Sequence, residues 1–172
     1  MIASTRILLF AGVLAAASCG GAFPALAQLV ALGASNIAGR GVSSSEAFPA
    51  QLERMLAAKG YNVHVTNAGV NGDTNAGMLA RLDQAVPGGT RIVLLGTRGG
   101  SFNARRLGQG EQKSEFASIV ARLRSRGIKV VLVTGNGIGR KYLQPDGIHL
   151  SAEGNAVLAA QVLPSVVRAL GH

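Results

Sequence analysis

Tryptophan is absent from this chain, and Phe and Tyr together make up only 4% of its 172 residues. Its core must therefore be filled by Leu, Val, Ile and Ala, which suits a parallel sheet covered by helices. There is one cysteine, Cys19, so no internal disulfide can form. Acidic residues are scarce: 8 Asp and Glu stand against 17 Lys and Arg, a formal charge of +9. That balance fits an acidic partner or simply a solvated basic surface. No basic run is interleaved with aromatics, so nucleic-acid binding is not expected. Part of the charge, Arg122, Arg124, Arg126 and Lys129, gathers at the end of one predicted helix, where cations suit the helix dipole. The three histidines are scattered, at 64, 149 and 172, so neither a metal site nor a cofactor is expected.

What is present is apolar sequence, 48% of the chain, enough for one folded domain. Residues 1–27 read as a cleaved export signal. Arg6 supplies the positive start, Ile7 to Ala17 an apolar stretch, and Ala25-Leu26-Ala27 a small-residue cleavage site. The rival reading is a lipoprotein anchored at Cys19. The mature protein would then be residues 28–172, periplasmic or secreted, touching the membrane only during export. It is expected to act as a monomer.

Along that mature stretch, strands alternate with helices. Leu29-Val30-Ala31-Leu32, Val63-His64-Val65-Thr66-Asn67, Ile92-Val93-Leu94-Leu95 and Lys129-Val130-Val131-Leu132-Val133 read as strands. Helical spacing links Phe48, Leu52, Met55 and Leu56, then Met78, Leu79 and Leu82, then Phe116, Ile119, Val120 and Leu123. Asp73 or Thr74 can cap the second of these helices. Residues 96–112, rich in Gly and Arg, carry no regular pattern. A last helix starts near Ser151, and Pro164 predicts a kink or break in it. The alternation implies one α/β domain with a parallel sheet and right-handed crossovers.

Ligand sites in such sheets lie at the carboxyl ends of the strands. Three groups fall there. Ser35 follows the first strand in Leu32-Gly33-Ala34-Ser35-Asn36. Gly72 stands in the loop after the second, where its N–H could donate to an oxyanion. Asp146 and His149 follow the fourth in Pro145-Asp146-Gly147-Ile148-His149-Leu150. Each has a plain reading as well: a turn, a helix cap, an ordinary histidine. An imidazole held by a carboxylate and facing a serine is, however, the arrangement of a nucleophilic hydrolase. Position 37 is Ile, so Ser35 does not sit in a G-x-S-x-G elbow. Thr134-Gly135-Asn136-Gly137-Ile138-Gly139 departs from a dinucleotide-binding loop, because Arg140 occupies the place of its third glycine.

Together, the segment around Ser35, Asn67-Ala68-Gly69-Val70-Asn71-Gly72-Asp73-Thr74 and Asp146-Gly147-Ile148-His149 resemble three of the four blocks of the SGNH/GDSL hydrolases. Order and spacing agree over nearly all of 29–170. Glu46-Ala47-Phe48-Pro49-Ala50-Gln51-Leu52 is similar to the bacterial thioesterase/lysophospholipase/arylesterase group. The resemblance implies a three-layer α/β/α flavodoxin-like fold with about five parallel strands. It also implies hydrolysis of small or medium acyl esters or thioesters without metal. Carried over, Ser35 is the nucleophile, His149 the base and Asp146 its orienting partner, with the N–H groups of Ser35 and Gly72 as oxyanion donors. Two departures stand out. The family's Gly-Asp-Ser-Leu is here Gly33-Ala34-Ser35-Asn36. Its third block, Gly-x-Asn-Asp, is replaced by Gly96-Thr97-Arg98-Gly99, so the donor asparagine is either Asn103, after a two-residue insertion, or is replaced by Arg98. The alternative function is a weakened or inactive SGNH-fold binding protein of the cell envelope.

Overall fold

The computed structural model describes residues 27–171. The expected export signal, apart from Ala27, and Cys19 lie outside the described residues. Among the described residues no helix is long and apolar enough to cross a membrane.

Four strands, β1 (Ala27–Gly33), β2 (Val63–Gly69), β3 (Thr90–Gly96) and β4 (Lys129–Val133), form one parallel sheet in the order β2-β1-β3-β4. This is one strand fewer than expected. After β4 the chain does not return to the sheet edge. It crosses a loop with one 3-10 turn, Arg140–Tyr142, and enters the last helix directly.

Successive residues of a strand point to opposite faces, and here each face has its own core. Leu29, Ala31, Ile92 and Leu94 pack under helices α2 (Phe48–Ala57) and α7 (Ala152–Leu170), through Phe48, Leu52, Leu158 and Val162. Val30, Leu32, Val93 and Leu95 face α3 (Asn75–Ala80), α4 (Leu82–Ala85) and α6 (Lys113–Ser125), through Met78, Leu82, Ile119 and Leu123. Burial on both sides is why β1 and β3 read as continuous apolar runs.

Several local expectations are sharpened. Thr74, not Asp73, caps α3, its hydroxyl accepting from the Gly77 N–H. The expected single helix through Leu82 is divided at Arg81, whose side chain turns back toward the sheet. Residues 96–112 are not irregular throughout: Gly99–Arg106 form helix α5. Its paired glycines and arginines hid it, since only Ala104 and Gly100 are buried there. Pro164 does not break α7, which runs unbroken through it. Val162 and Val166 are buried on either side of the proline, so packing holds the helix together where one hydrogen bond is lost. The start of α7 is capped by Ser151 and tied to α2 by buried Asn155, which accepts from the Phe48 N–H.

β1 is the centre of the topology. Chain order runs from it to β2 on one side and then jumps to β3 on the other. The crevice at its carboxyl end is therefore the switch point where such folds bind ligands. The one-turn helix α1 (Ser35–Ala38) lies there, across the end of β2. A Cβ at Gly69 would collide with the backbone of Ile37 and Ala38. Gly69→Ala is expected to cost about 1–3 kcal/mol through overpacking, read as a lowered midpoint in urea unfolding. An unchanged midpoint would mean that α1 does not press on β2 as described.

Candidate active site

Ser35 is the first residue of α1, directly beyond β1. First-turn N–H groups of a helix have no intrahelical acceptor, and the Ser35 N–H has none elsewhere among the described residues. The hydroxyl lies 3.0 Å from His149 Nε2. His149 Nδ1 lies 2.5 Å from Asp146 Oδ2. The imidazole is buried, whereas the Asp146 side chain keeps 44% of its surface exposed. The other Asp146 oxygen accepts from the backbone N–H groups of Ile148 and His149. The His149 N–H, then its imidazole, then the Ile148 N–H hold the Asp146 carboxyl well below the usual aspartate range.

The two chain segments are clamped together by residues for which the sequence offered no role. Asn36 accepts from the Leu150 N–H at 3.0 Å and donates to the Ile148 carbonyl at 3.4 Å. Gln144 donates to the carbonyls of Arg40 and Leu150, at 2.7 and 2.8 Å. Its own N–H donates to the His149 carbonyl. Asn36 and Gln144 therefore set the position of the imidazole relative to Ser35.

Gly72 lies in a turn closed by the Asp73 N–H to Val70 carbonyl bond. Its φ of 78° is the left-handed region that favours glycine. Its N–H has no acceptor among the described residues. This loop is fixed from behind by Arg81, which pairs with Asp73 at 2.7 Å and donates to the carbonyls of Ala68 and Gly33. One guanidinium thus joins the ends of β1 and β2 to the Gly72 turn. A lone arginine in a helical pattern reads as solvent-facing, so spacing gave no warning of this.

Asn103, on α5, donates to the Asp73 carbonyl at 2.7 Å, which brings its amide beside the Gly72 turn. Arg98 is exposed at the start of α5, and its side chain makes no hydrogen bond or ion pair among the described residues. Ser35, Gly72, Arg98, Asn103 and His149 all line one cleft of about 640 Å³. Thr134, Gly135 and Ile138 form part of its wall; a 3-10 turn follows them, and not the helix of a dinucleotide site. His64 stands apart, paired with Glu53 on the surface. Among the described residues no group of three or more His, Cys, Asp and Glu side chains is placed to share a metal ion.

Residues 31–142 match the model of the GDSL-like lipase/acylhydrolase family. That match ends before Asp146 and His149. Over 105 residues the chain is 33% identical to Esterase TesA of Pseudomonas aeruginosa, covering 61% of this chain and 52% of that protein. The match thus spans about half the length of that relative. A crystal structure of TesA superposes with a TM-score of 0.73 at 25% identity, covering 83% of this chain and 99% of the other. The psychrotrophic esterase EstA from Pseudoalteromonas sp., solved with monoethylphosphonate as inhibitor, shares the fold at a TM-score of 0.70 and 17% identity, over 84% and 99% of the two chains.

The lowered Asp146 carboxyl sets a pH dependence. A folded-state value below the unfolded one, about 3.9, adds stability that is complete above that pH and is lost as pH falls through the folded value. The part of the stability gap between wild type and Asp146→Asn that comes from the Asp146 carboxylate is therefore expected to shrink as pH falls below about 4. Urea midpoints measured against pH check this. A gap that widens as pH falls below about 4 would contradict it.

Proposed function

The chain belongs to the GDSL-like lipase/acylhydrolase family, and from that premise we propose that it is a serine-dependent hydrolase of small to medium acyl esters or thioesters. The observation that carries the reading is the continuous line from Ser35 Oγ through both nitrogens of His149 to Asp146. A binding protein of this fold would have no need to keep that line intact.

In the proposed reaction Ser35 Oγ attacks the acyl carbonyl while His149 Nε2 takes the hydroxyl proton. Asp146 stays ionised and stabilises the imidazolium. The tetrahedral oxyanion is met by the N–H groups of Ser35 and Gly72. Asn103 is the third donor in this reading: one amide hydrogen holds Asp73, and the second is left for the oxyanion. Collapse expels the alcohol or thiol, which takes the proton from His149. Water then attacks the acyl-serine, His149 accepts its proton and returns it to Ser35, and the carboxylic acid leaves.

Residues 1–27 act, in the same reading, as an export signal, which places the mature protein in the periplasm or outside the cell. The substrate is a small molecule, and no cofactor takes part.

A fluorophosphonate probe is expected to label Ser35 in the folded protein. Ser35→Ala is expected to lower kcat for a short p-nitrophenyl ester by roughly 10⁴-fold or more. Asn103→Ala is expected to lower it by about 10²–10³-fold, with Arg98→Ala well short of that. No labelling and no turnover in folded wild-type protein would defeat the proposal. A loss carried by Arg98→Ala and not by Asn103→Ala would make the guanidinium the third donor.

A further inference from the structure

The cleft is lopsided in charge. Among the described residues, four arginines, Arg40, Arg98, Arg105 and Arg106, stand in its wall, and no Asp, Glu or Lys does. Arg105 and Arg106 belong to α5, and Arg98 is the residue just before it, with helical backbone angles. At 100° per residue, Arg105, Arg98, Phe102 and Arg106 fall within an arc of about 100° on that helix. One face of α5, extended by Arg98 at its N-cap, therefore lines the cleft that holds Ser35 with three arginines and an aromatic ring.

Little neutralises these charges. The Arg98 side chain has no partner among the described residues. Arg105 is 3.6 Å from Glu111, with both side chains about half exposed, where such pairs contribute little. Arg106 stacks over the Phe102 ring at 5.8 Å and keeps its charge. Away from α5 the lining includes the apolar residues Val133, Ile138, Leu143 and Leu158. An amphiphile with an anionic group at one end and a short apolar chain at the other matches both kinds of lining. Guanidinium groups suit that role because their paired N–H donors fit the oxygens of phosphate and carboxylate.

We infer that the arginine face of α5 is a subsite for a phosphate or carboxylate group on the substrate, so that the preferred ester or thioester is anionic. This deepens the hydrolase reading and rests on it for the word substrate, but the binding it predicts does not need turnover. It also gives a function to part of the +9 charge, which is otherwise only a solvated surface.

The test uses the full-length mature protein carrying Ser35→Ala, so that binding is read without chemistry. Hexyl phosphate, hexanoate and hexanol are titrated by calorimetry at low salt. The two anions are expected to bind roughly tenfold or more tightly than the alcohol. That gap is expected to close in Arg98→Gln/Arg105→Gln/Arg106→Gln, and at about 1 M salt, where screening acts within ~3 Å. It is expected to persist in Lys59→Gln/Arg91→Gln/Arg124→Gln, which removes the same charge from exposed positions outside the cleft. Tighter binding of hexyl phosphate assigns a phosphate-bearing substrate, and tighter binding of hexanoate a carboxylate-bearing one. Equal affinity for all three ligands would overturn the inference. So would a gap that survives in the cleft variant, or one lost equally in the control. Anion binding in a protein whose Ser35 is never labelled would sink the hydrolase reading and leave the subsite standing.

Discussion

The site depends on how the loop 144–150 is fastened to the turn after β1. These segments are more than a hundred residues apart in sequence, and a parallel sheet alone brings them only to the same edge. Closing the last few ångströms falls to Asn36 and Gln144, whose hydrogen bonds run to the backbone on both sides of His149. Backbone contacts of this kind fix where the imidazole sits without using the imidazole itself. Both ring nitrogens remain free for Ser35 and Asp146. The proposed chemistry needs that division, because His149 must gain and lose a proton without changing its position.

A second fastening serves the side of the cleft that carries the N–H donors. Arg81 draws together Gly33, Ala68 and Asp73, so the turn carrying Gly72 cannot drift from the turn carrying Ser35. Asn103 reaches the same turn from α5. Serine, Gly72 and asparagine thus sit on three connections leaving β1, β2 and β3, and His149 on a fourth leaving β4. The four parallel strands act as a common base, and the buried Leu, Val and Ile between them keep those four ends in register. Few polar groups lie between the strands, and the cleft is lined by α5 and the loops at the strand ends.

Much of this was legible in the sequence. The strands announced themselves as β-branched or continuous apolar runs, because both faces of the sheet are buried. Ser35 and Gly72 drew attention because they follow strand ends, and Asp146 and His149 because a carboxylate stands three residues before a histidine in the loop after the last strand; the resemblance joined them into one site. What escaped notice was of another kind. Helix α5 has too little apolar surface to show a period, and its first turn begins with Gly99-Gly100. Asn36, Arg81, Gln144 and Asn155 act through backbone carbonyls and N–H groups distant in sequence, and no spacing rule links such partners. The expected fifth strand came from resemblance, not from residues, and after β4 the loop leads directly into α7. Pro164 illustrates the converse. Local propensity spoke for a break, and tertiary burial on both sides overrode it.

The most direct measurement is intact-protein mass spectrometry after rapid mixing of the mature protein with p-nitrophenyl acetate and acid quenching. Expected is a transient gain of one acetyl group, mapped to the peptide containing Ser35, absent in Ser35→Ala and accumulating when deacylation is slowed. Release of p-nitrophenol with no acetyl group ever found on Ser35 would contradict the proposed acyl-enzyme, and with it the role given to the Ser35–His149–Asp146 line.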